Sequence, residues 1–546
     1  MLLKIGILAA YFAAVLILGH FARLKRKEDA AGYFLGGRSS SPLLLLATMA
    51  ATNFSAFTVF GASGAGYRDG LAFLPIMAFG TGFMALSFLI LGPRIRKLGI
   101  KHGLVTPAEL IEVLYQSRPV AILFALVMVF FTIPYLAMQP YAGGMVLGSL
   151  FGTPPWLGAS LVTGAIVLYT LRGGYRAVAW TDALQGLIMV TVMVGALVVV
   201  VSALGGWGTA LHGAFSSDPA LFARPGAIGT YSAGVWFGFL LLWFFCDPMF
   251  PQLFQRFYAA RSDNAINFTA LAYPAICLLV FIPPVLIGTM GRSVIPGLSG
   301  KEADAILPLL MAKVGGPAIA ALVVTAGIAA LMSTMDSQLL TLSSILGRDL
   351  KIGARSADPT GTGRKLVLML AAVGLFVALT VDSSILDLGL MAFTGLAALF
   401  PTVFFGLYLA RPSARAAAAS IILGEATAVA AHFKLLPSFG LLPAVHVICV
   451  SVVAYVVVQA LHRGMAFCDV SRRALLFCAA FAGIFIAALD FWRWGAAEPM
   501  FLGLPVWLWH FVALSAIQTA LVAWWMRKEM TNDECGMMNK RAENSH

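Results

Sequence analysis

Residues 330–344, ALMSTMDSQLLTLSS, carry six hydroxyls, a glutamine and a carboxylate. On a helix, Ser333, Ser337, Thr341 and Ser344 recur every three or four residues and so line one face. Asp336, three residues after Ser333, shares that side of the turn. A second polar cluster, Thr48, Thr52, Asn53, Ser55 and Thr58, interrupts the otherwise apolar residues 43–67. Hydroxyls and free backbone carbonyls are the uncharged oxygens that a hard monovalent cation such as Na⁺ takes as ligands. The alternative for the hydroxyls is a bond to the carbonyl of their own preceding turn. That accounts for serines and threonines but not easily for Asp336, which in an apolar setting must meet a cation, take up a proton or find a donor.

The setting is apolar throughout. Of 546 residues, 60% are hydrophobic and 11% charged, and the mean hydropathy is +0.90; soluble chains carry roughly 25% charged residues. Apolar runs long enough to span a bilayer recur along the whole chain. The pattern predicts fifteen helices, segments 1 to 15, centred near residues 12, 54, 83, 133, 164, 191, 240, 278, 328, 373, 396, 425, 452, 483 and 515. The first run lacks a small-residue cleavage site and ends in the basic block RLKRKE, as a retained helix does. Cys246, Cys277, Cys449, Cys468, Cys478 and Cys535 fall in apolar runs or on segments expected in the cytosol, so no disulfide framework is implied.

An external N-terminus puts most of the 36 basic residues in cytoplasmic loops and leaves the C-terminus inside. The net charge of +12 then reflects loops facing anionic lipid rather than nucleic acid, since no basic patch is interleaved with aromatics. The expected location is the plasma membrane, as a multi-pass protein.

Two segments look broken. Residues 43–67 join the polar cluster to a glycine-rich half, and residues 234–258 hold Asp247, Pro248 and Pro251 in close succession. In hydrocarbon such interruptions are tolerated only where the backbone faces protein or a water-filled cavity. Segments 2 and 7 are an odd number of crossings apart and so begin on opposite faces. Paired breaks in oppositely oriented halves are the signature of inverted repeats around a midplane site.

From Tyr33 to Arg411 the chain resembles the sodium/solute symporter family. The resemblance rests on YFLGGRS, GAGYRDGLAF, YTLRGGYRAVAWTDALQG, PQLFQRFYAA and AALMSTMDSQLLTLSS, in that order. It implies an all-α polytopic fold of the LeuT-like type, a 5+5 inverted repeat of segments 2–6 and 7–11, with one N-terminal and about four C-terminal extra helices. The implied division is residues 1–32 for the first helix and its basic loop, 33–411 for the core, 412–526 for additional helices and 527–546 for a short cytoplasmic tail. The family's upper Na⁺ site transfers to Ala51, Phe54, Ala330, Ser333 and Thr334. A lower site, for a second Na⁺ or a shared proton, transfers to Asp182, Ser333, Asp336 and Ser337. The other role open to Asp182 is to cap a helix or pair with Arg176. Positions resembling substrate contacts are Asn53, Ser55 and Thr58, with Gln139 as a second-rank candidate and Phe57, Phe244 and Phe245 as candidate gates.

The implied activity is Na⁺-coupled symport of a small organic solute into the cell, with H⁺ coupling or a transporter-like sensor acting through a separate partner as alternatives. The aromatic, apolar sequence LWFFCDPMFPQ argues against a sugar. Family habit points to a monocarboxylate or an amino acid. No Lys or Arg is expected at mid-membrane in segments 2, 4, 7, 9 or 11, so a carboxylate would have to meet half-helix N–H groups and hydroxyls. The expected partners are that solute and the bilayer, with the protein a monomer or weak oligomer. Glu425, Asp490, His432 and His446 read as helix-end or interface residues. No nucleophile–base pair or metal-ligand cluster suggests an enzyme.

Overall fold

The computed structural model describes residues 1–22, 30–352, 359–468 and 472–543. The basic block of residues 23–28, the loop residues 353–355 and the side chains of residues 528–546, Cys535 among them, lie outside that description. Each of the fifteen expected centres falls within a helical stretch or at its break. Among the described residues, eleven helices are long and apolar enough to cross a membrane alone, and twelve when a bent pair counts as one span. Segments 5 and 6 run together as Pro155–Ala203 and separate only at Gly174, whose φ of 58° and ψ of −173° an L side chain resists. A Cβ there would also lie 2.9 Å from the Tyr33 carbonyl.

Segment 2 starts at Pro42, with the Ser41 side chain accepting from the Leu44 N–H, an N-cap followed by proline in the first turn. Its first half, Pro42–Asn53, ends where Phe54 turns extended (φ −88°, ψ 92°). The chain restarts as a wide turn over Phe57–Gly61 and continues as Ala62–Asp69. Segment 7 runs Ala233–Cys246, breaks across Asp247–Met249 and resumes as Pro251–Ala259, bent by 54°. Pro248 and Pro251 supply no N–H there, so the ladder cannot continue through them.

The two broken helices lie side by side in opposite directions. The Ser40 N–H donates to Ala259 O (3.1 Å) and the Arg261 N–H to Ser40 O (3.0 Å), joining the start of segment 2 to the end of segment 7. At the other end the Ala227 N–H donates to Asp69 O (3.3 Å). Segment 8, Asp263–Val294, packs backbone to backbone on the second half of segment 2. A Cβ at Gly288 would lie 2.0 Å from Ser63 O, and one at Gly66 2.3 Å from Val285 O.

Segments 12 to 15 are Ala414–His432, Pro443–Arg463, Arg472–Ala488 and Val506–Glu543. They are anchored to the core by contacts the sequence did not announce. Asp490, expected at an interface, is fully buried and pairs with Arg224 (2.7 Å). The guanidinium sits between Trp494 (4.7 Å) and Trp507 (4.8 Å). Glu425 lies in mid-helix, not at an end, with both carboxylate oxygens unpartnered. The Gln518 amide donates to Gly82 O (2.6 Å), seating the last helix on segment 3.

The close approach at Gly288 gives a direct test. Gly288→Ala should lower stability by about 1–3 kcal/mol, the usual cost of overpacking, whereas Gly164→Ala, with nothing within 4 Å of its Cβ, should be near neutral. Thermal denaturation of the purified variants reads both.

Candidate functional site

The break in segment 2 frees the carbonyls of Ala51, Thr52 and Asn53, whose i+4 partners no longer follow the helix. The Ala56 N–H turns instead to Gln139 Oε1 (3.3 Å) and the Phe57 N–H to Ser55 Oγ (3.2 Å). The freed carbonyls are met from other segments. Ser333 Oγ lies 2.8 Å from Ala51 O and 3.0 Å from Ala330 O. Thr334 Oγ1 lies 3.1 Å from Thr52 O and 3.3 Å from Ala330 O. Tyr135 Oη reaches Asn53 O at 3.4 Å.

Ser333 and Thr334 belong to segment 9, Gly316–Arg348, a single helix buried along most of its length. Of the five residues expected at the upper site, Ala51, Ala330, Ser333 and Thr334 come together, with the Thr52 carbonyl as an unanticipated fifth oxygen. Phe54 stands at the break itself. The cluster is all oxygen, carries no formal charge and is closed to solvent, a donor set suited to one hard monovalent cation.

One turn deeper the arrangement differs from expectation. Asp182 does not pair with Arg176. Its Oδ2 accepts from Arg256 Nη2 (2.8 Å) and from the Thr48 hydroxyl, and the same Nη2 reaches Ser337 Oγ at 2.8 Å. Arg256 Nε donates to Thr48 Oγ1 (3.0 Å) and Nη1 to Gln252 O (2.8 Å). The expectation concerned the middle of these segments; Arg256 lies near the end of segment 7 and is nonetheless 1% exposed. Its place in QRFYAAR, a run resembling a cytoplasmic loop, concealed it. Asp336 accepts from Tyr169 Oη (2.7 Å), and its other oxygen has no partner. Asp182 and Ser337 thus meet through Arg256, Asp336 is held by Tyr169, and Ser333 belongs to the upper cluster.

Beside the break lies a small cavity of about 20 Å³, room for roughly one water. Asn53, Ser55, Thr58, Thr81, Tyr135, Trp243 and Asp247 are the polar residues of its lining. Phe393 also lines it, its ring 5.0 Å from Tyr135, 5.1 Å from Phe250, 5.5 Å from Trp243 and 5.8 Å from Phe57. Three of the four expected substrate contacts line this cavity. Gln139 does not; it caps the second half-helix. Phe57 lines the cavity, while Phe244 packs tilted and Phe245 edge-on against Phe400 elsewhere (5.6 and 4.7 Å). On the far side of the break, Arg68 Nη1 pairs with Asp304 Oδ1 (3.0 Å), and Asp304 Oδ2 accepts from the Ile385 N–H (3.1 Å). Burial pushes the Asp304 carboxyl above its ordinary range, against the pull of Arg68.

The sequence profile described as the Sodium:solute symporter family matches residues 33–424. The sodium/pantothenate symporter of Escherichia coli (strain K12) is 30% identical over 427 residues, 76% of this chain and 88% of that protein. The osmoregulated proline transporter OpuE of Bacillus subtilis (strain 168) is 30% identical over 436 residues, 77% of this chain and 87% of its own length. Among solved structures, a Na⁺-coupled sialic acid symporter in its substrate-bound outward-open state aligns with a TM-score of 0.70 at 20% identity, covering 86% of this chain and 99% of that one. MHP1, a nucleobase-cation-symport-1 family transporter, aligns at 0.53 and 13% identity over 79% and 94%. The fold is therefore the LeuT-like inverted repeat of segments 2–6 and 7–11, and the chain belongs to the sodium:solute symporter family.

Proposed function

We propose that this protein is a Na⁺-coupled symporter of the plasma membrane that carries a small organic solute into the cell by alternating access, with its N-terminus outside and its C-terminus in the cytoplasm. The observation that carries this reading is the uncharged oxygen cluster of Ala51, Thr52, Ala330, Ser333 and Thr334 between the broken segment 2 and segment 9. An ion bound there replaces the hydroxyl-to-carbonyl bonds with shared coordination, so it holds the two segments together and fixes the half-helix that borders the solute cavity. The transport core is assigned to residues 33–411, and the family match over 33–424 supports that extent.

Coupling between ion and solute is reciprocal, because whatever Na⁺ does to solute affinity the solute does to Na⁺ affinity. One charge moving through ~100 mV supplies about 2.3 kcal/mol, and a tenfold Na⁺ gradient adds about 1.4. Together these support roughly 500-fold accumulation of a neutral solute. A single Na⁺ per cycle fits the lower region, where the Arg256 guanidinium already neutralises Asp182. Both named relatives are transporters of small organic solutes, pantothenate or proline, which supports a solute in the monocarboxylate or amino-acid range here. Proton coupling is the second reading, favoured by the half-satisfied Asp336 carboxylate against Tyr169.

Thermal denaturation in Na⁺ against K⁺ or choline at constant ionic strength should show a saturable, Na⁺-selective rise. Thr334→Ala should weaken that Na⁺ response by about tenfold or more, a difference of about 1.4 kcal/mol in ion binding, with stability in K⁺ little changed. An unaltered response would refute the site. Asp182→Asn strands the buried Arg256 charge and should cost about 3–5 kcal/mol, most of which the double variant Asp182→Asn/Arg256→Gln should recover in the same assay. Uptake by Asp336→Asn that keeps the wild-type pH profile would exclude the proton reading; a flattened profile would favour it.

A further inference from the structure

Asp247 is a buried carboxylate that the Na⁺-coupling elements do not use. Three other buried aspartates each face an arginine: Asp182 with Arg256, Asp304 with Arg68 and Asp490 with Arg224. Asp247 has none within 4 Å among the described residues. The arginine of its own segment, Arg256, is taken up by Asp182, Thr48 and Ser337. What Asp247 does have is weak: the Cys246 thiol at 3.3 Å and the Asn53 amide at 3.4 Å, the latter bonded more closely to Tyr273 Oη at 2.8 Å. A carboxylate so placed lacks a compensating charge, and removing it from water is costly unless a cation arrives.

Asp247 lines the central cavity, and that cavity contains two further unsatisfied groups. Trp243 Nε1–H and the Thr81 hydroxyl are buried and, among the described residues, without partners. Trp243 lies one helical turn before Asp247 on segment 7, its ring seated against Gly80, where a Cβ would stand 2.9 Å from Trp243 Cδ1. One wall of the cavity therefore demands a positive charge, and donors on the same cavity demand an acceptor. Beside Asn53, Ser55 and Thr58, most of the remaining lining is aromatic, Tyr135, Phe57, Phe250 and Phe393 among it, and ring faces also favour a cationic head.

We propose that the solute is a small zwitterion, its ammonium held by Asp247 within the aromatic walls and its carboxylate accepting from Trp243 Nε1–H and the Thr81 hydroxyl, in a state in which the cavity is wider than the one-water space it has here. This rests on the symporter reading and narrows it. A carboxylate without an ammonium would bring a second negative charge to Asp247, which is unfavourable in a low-dielectric cavity. A cation without a carboxylate leaves the two donors unpaired.

The test uses full-length protein in proteoliposomes, with Na⁺-dependent uptake of the radiolabelled solute measured for L-proline, L-alanine and glycine betaine, for propionate and pantothenate, and for choline. At least one zwitterion should show saturable uptake, and the other three solutes none. Asp247→Asn should raise the half-saturating zwitterion concentration by about 100-fold, as loss of a buried charge partner does. Trp243→Phe, which keeps the ring and loses the donor, should raise it by about tenfold. In both variants the Na⁺-dependent thermal stabilisation should persist. Uptake of propionate, pantothenate or choline, none of any zwitterion, or an unchanged half-saturation in Asp247→Asn would each overturn the assignment. Absence of Na⁺ stabilisation in the wild-type protein would instead defeat the symporter reading.

Discussion

A helix interrupted inside hydrocarbon leaves carbonyls that nothing in the bilayer can satisfy, and this protein is organised around that constraint. Ending the first half of segment 2 at Asn53 exposes three acceptors, and three hydroxyls from two other segments close on them. The same contacts pull segment 9 and segment 4 against the break. They also determine where the second half-helix restarts, and so where the cavity lies. The oxygen cluster and the cavity are thus adjacent because both are bordered by one discontinuity.

The sequence made the hydroxyl face of segment 9 legible because helical spacing aligns Ser333, Ser337, Thr341 and Ser344 without reference to anything distant, whereas Thr334 was implied only by the family resemblance. It made the breaks legible because glycine, proline and polar residues seldom gather within an apolar run unless the helix stops there. The fifteen helices followed from hydropathy alone. Partnerships were another matter. Arg256 lies in a run whose charge density resembles a membrane-proximal loop, and only the fold brings Asp182 and Thr48 to it. Asp247 was visible as part of a break but not as a cavity wall, since its role depends on Trp243 and Thr81 converging from two segments. Gln139, a second-rank candidate for a substrate contact, accepts instead from the backbone at the break, a distinction that composition cannot make.

Charge is handled in two ways in this interior. At Asp182 and Asp490 the protein provides its own cation, each arginine bonded to its carboxylate and stacked near aromatic rings. Such pairs contribute less to net stability than their geometry suggests, because both partners give up hydration. Their effect is to fix register: Arg224 and Asp490 are far apart in sequence, and their pairing holds the C-terminal helices to the loop before segment 7. Asp336 is held by a tyrosine hydroxyl alone, a neutral donor that leaves one oxygen free.

The backbone stitch between Ser40 and residues 259–261, with its counterpart between Asp69 and Ala227, ties the two broken helices at both extremities. Backbone bonds of this kind cannot be exchanged for alternatives as side-chain rotamers can. Segments 2 and 7 are therefore tied to each other near both ends, and a displacement of one along the other would have to break these backbone bonds.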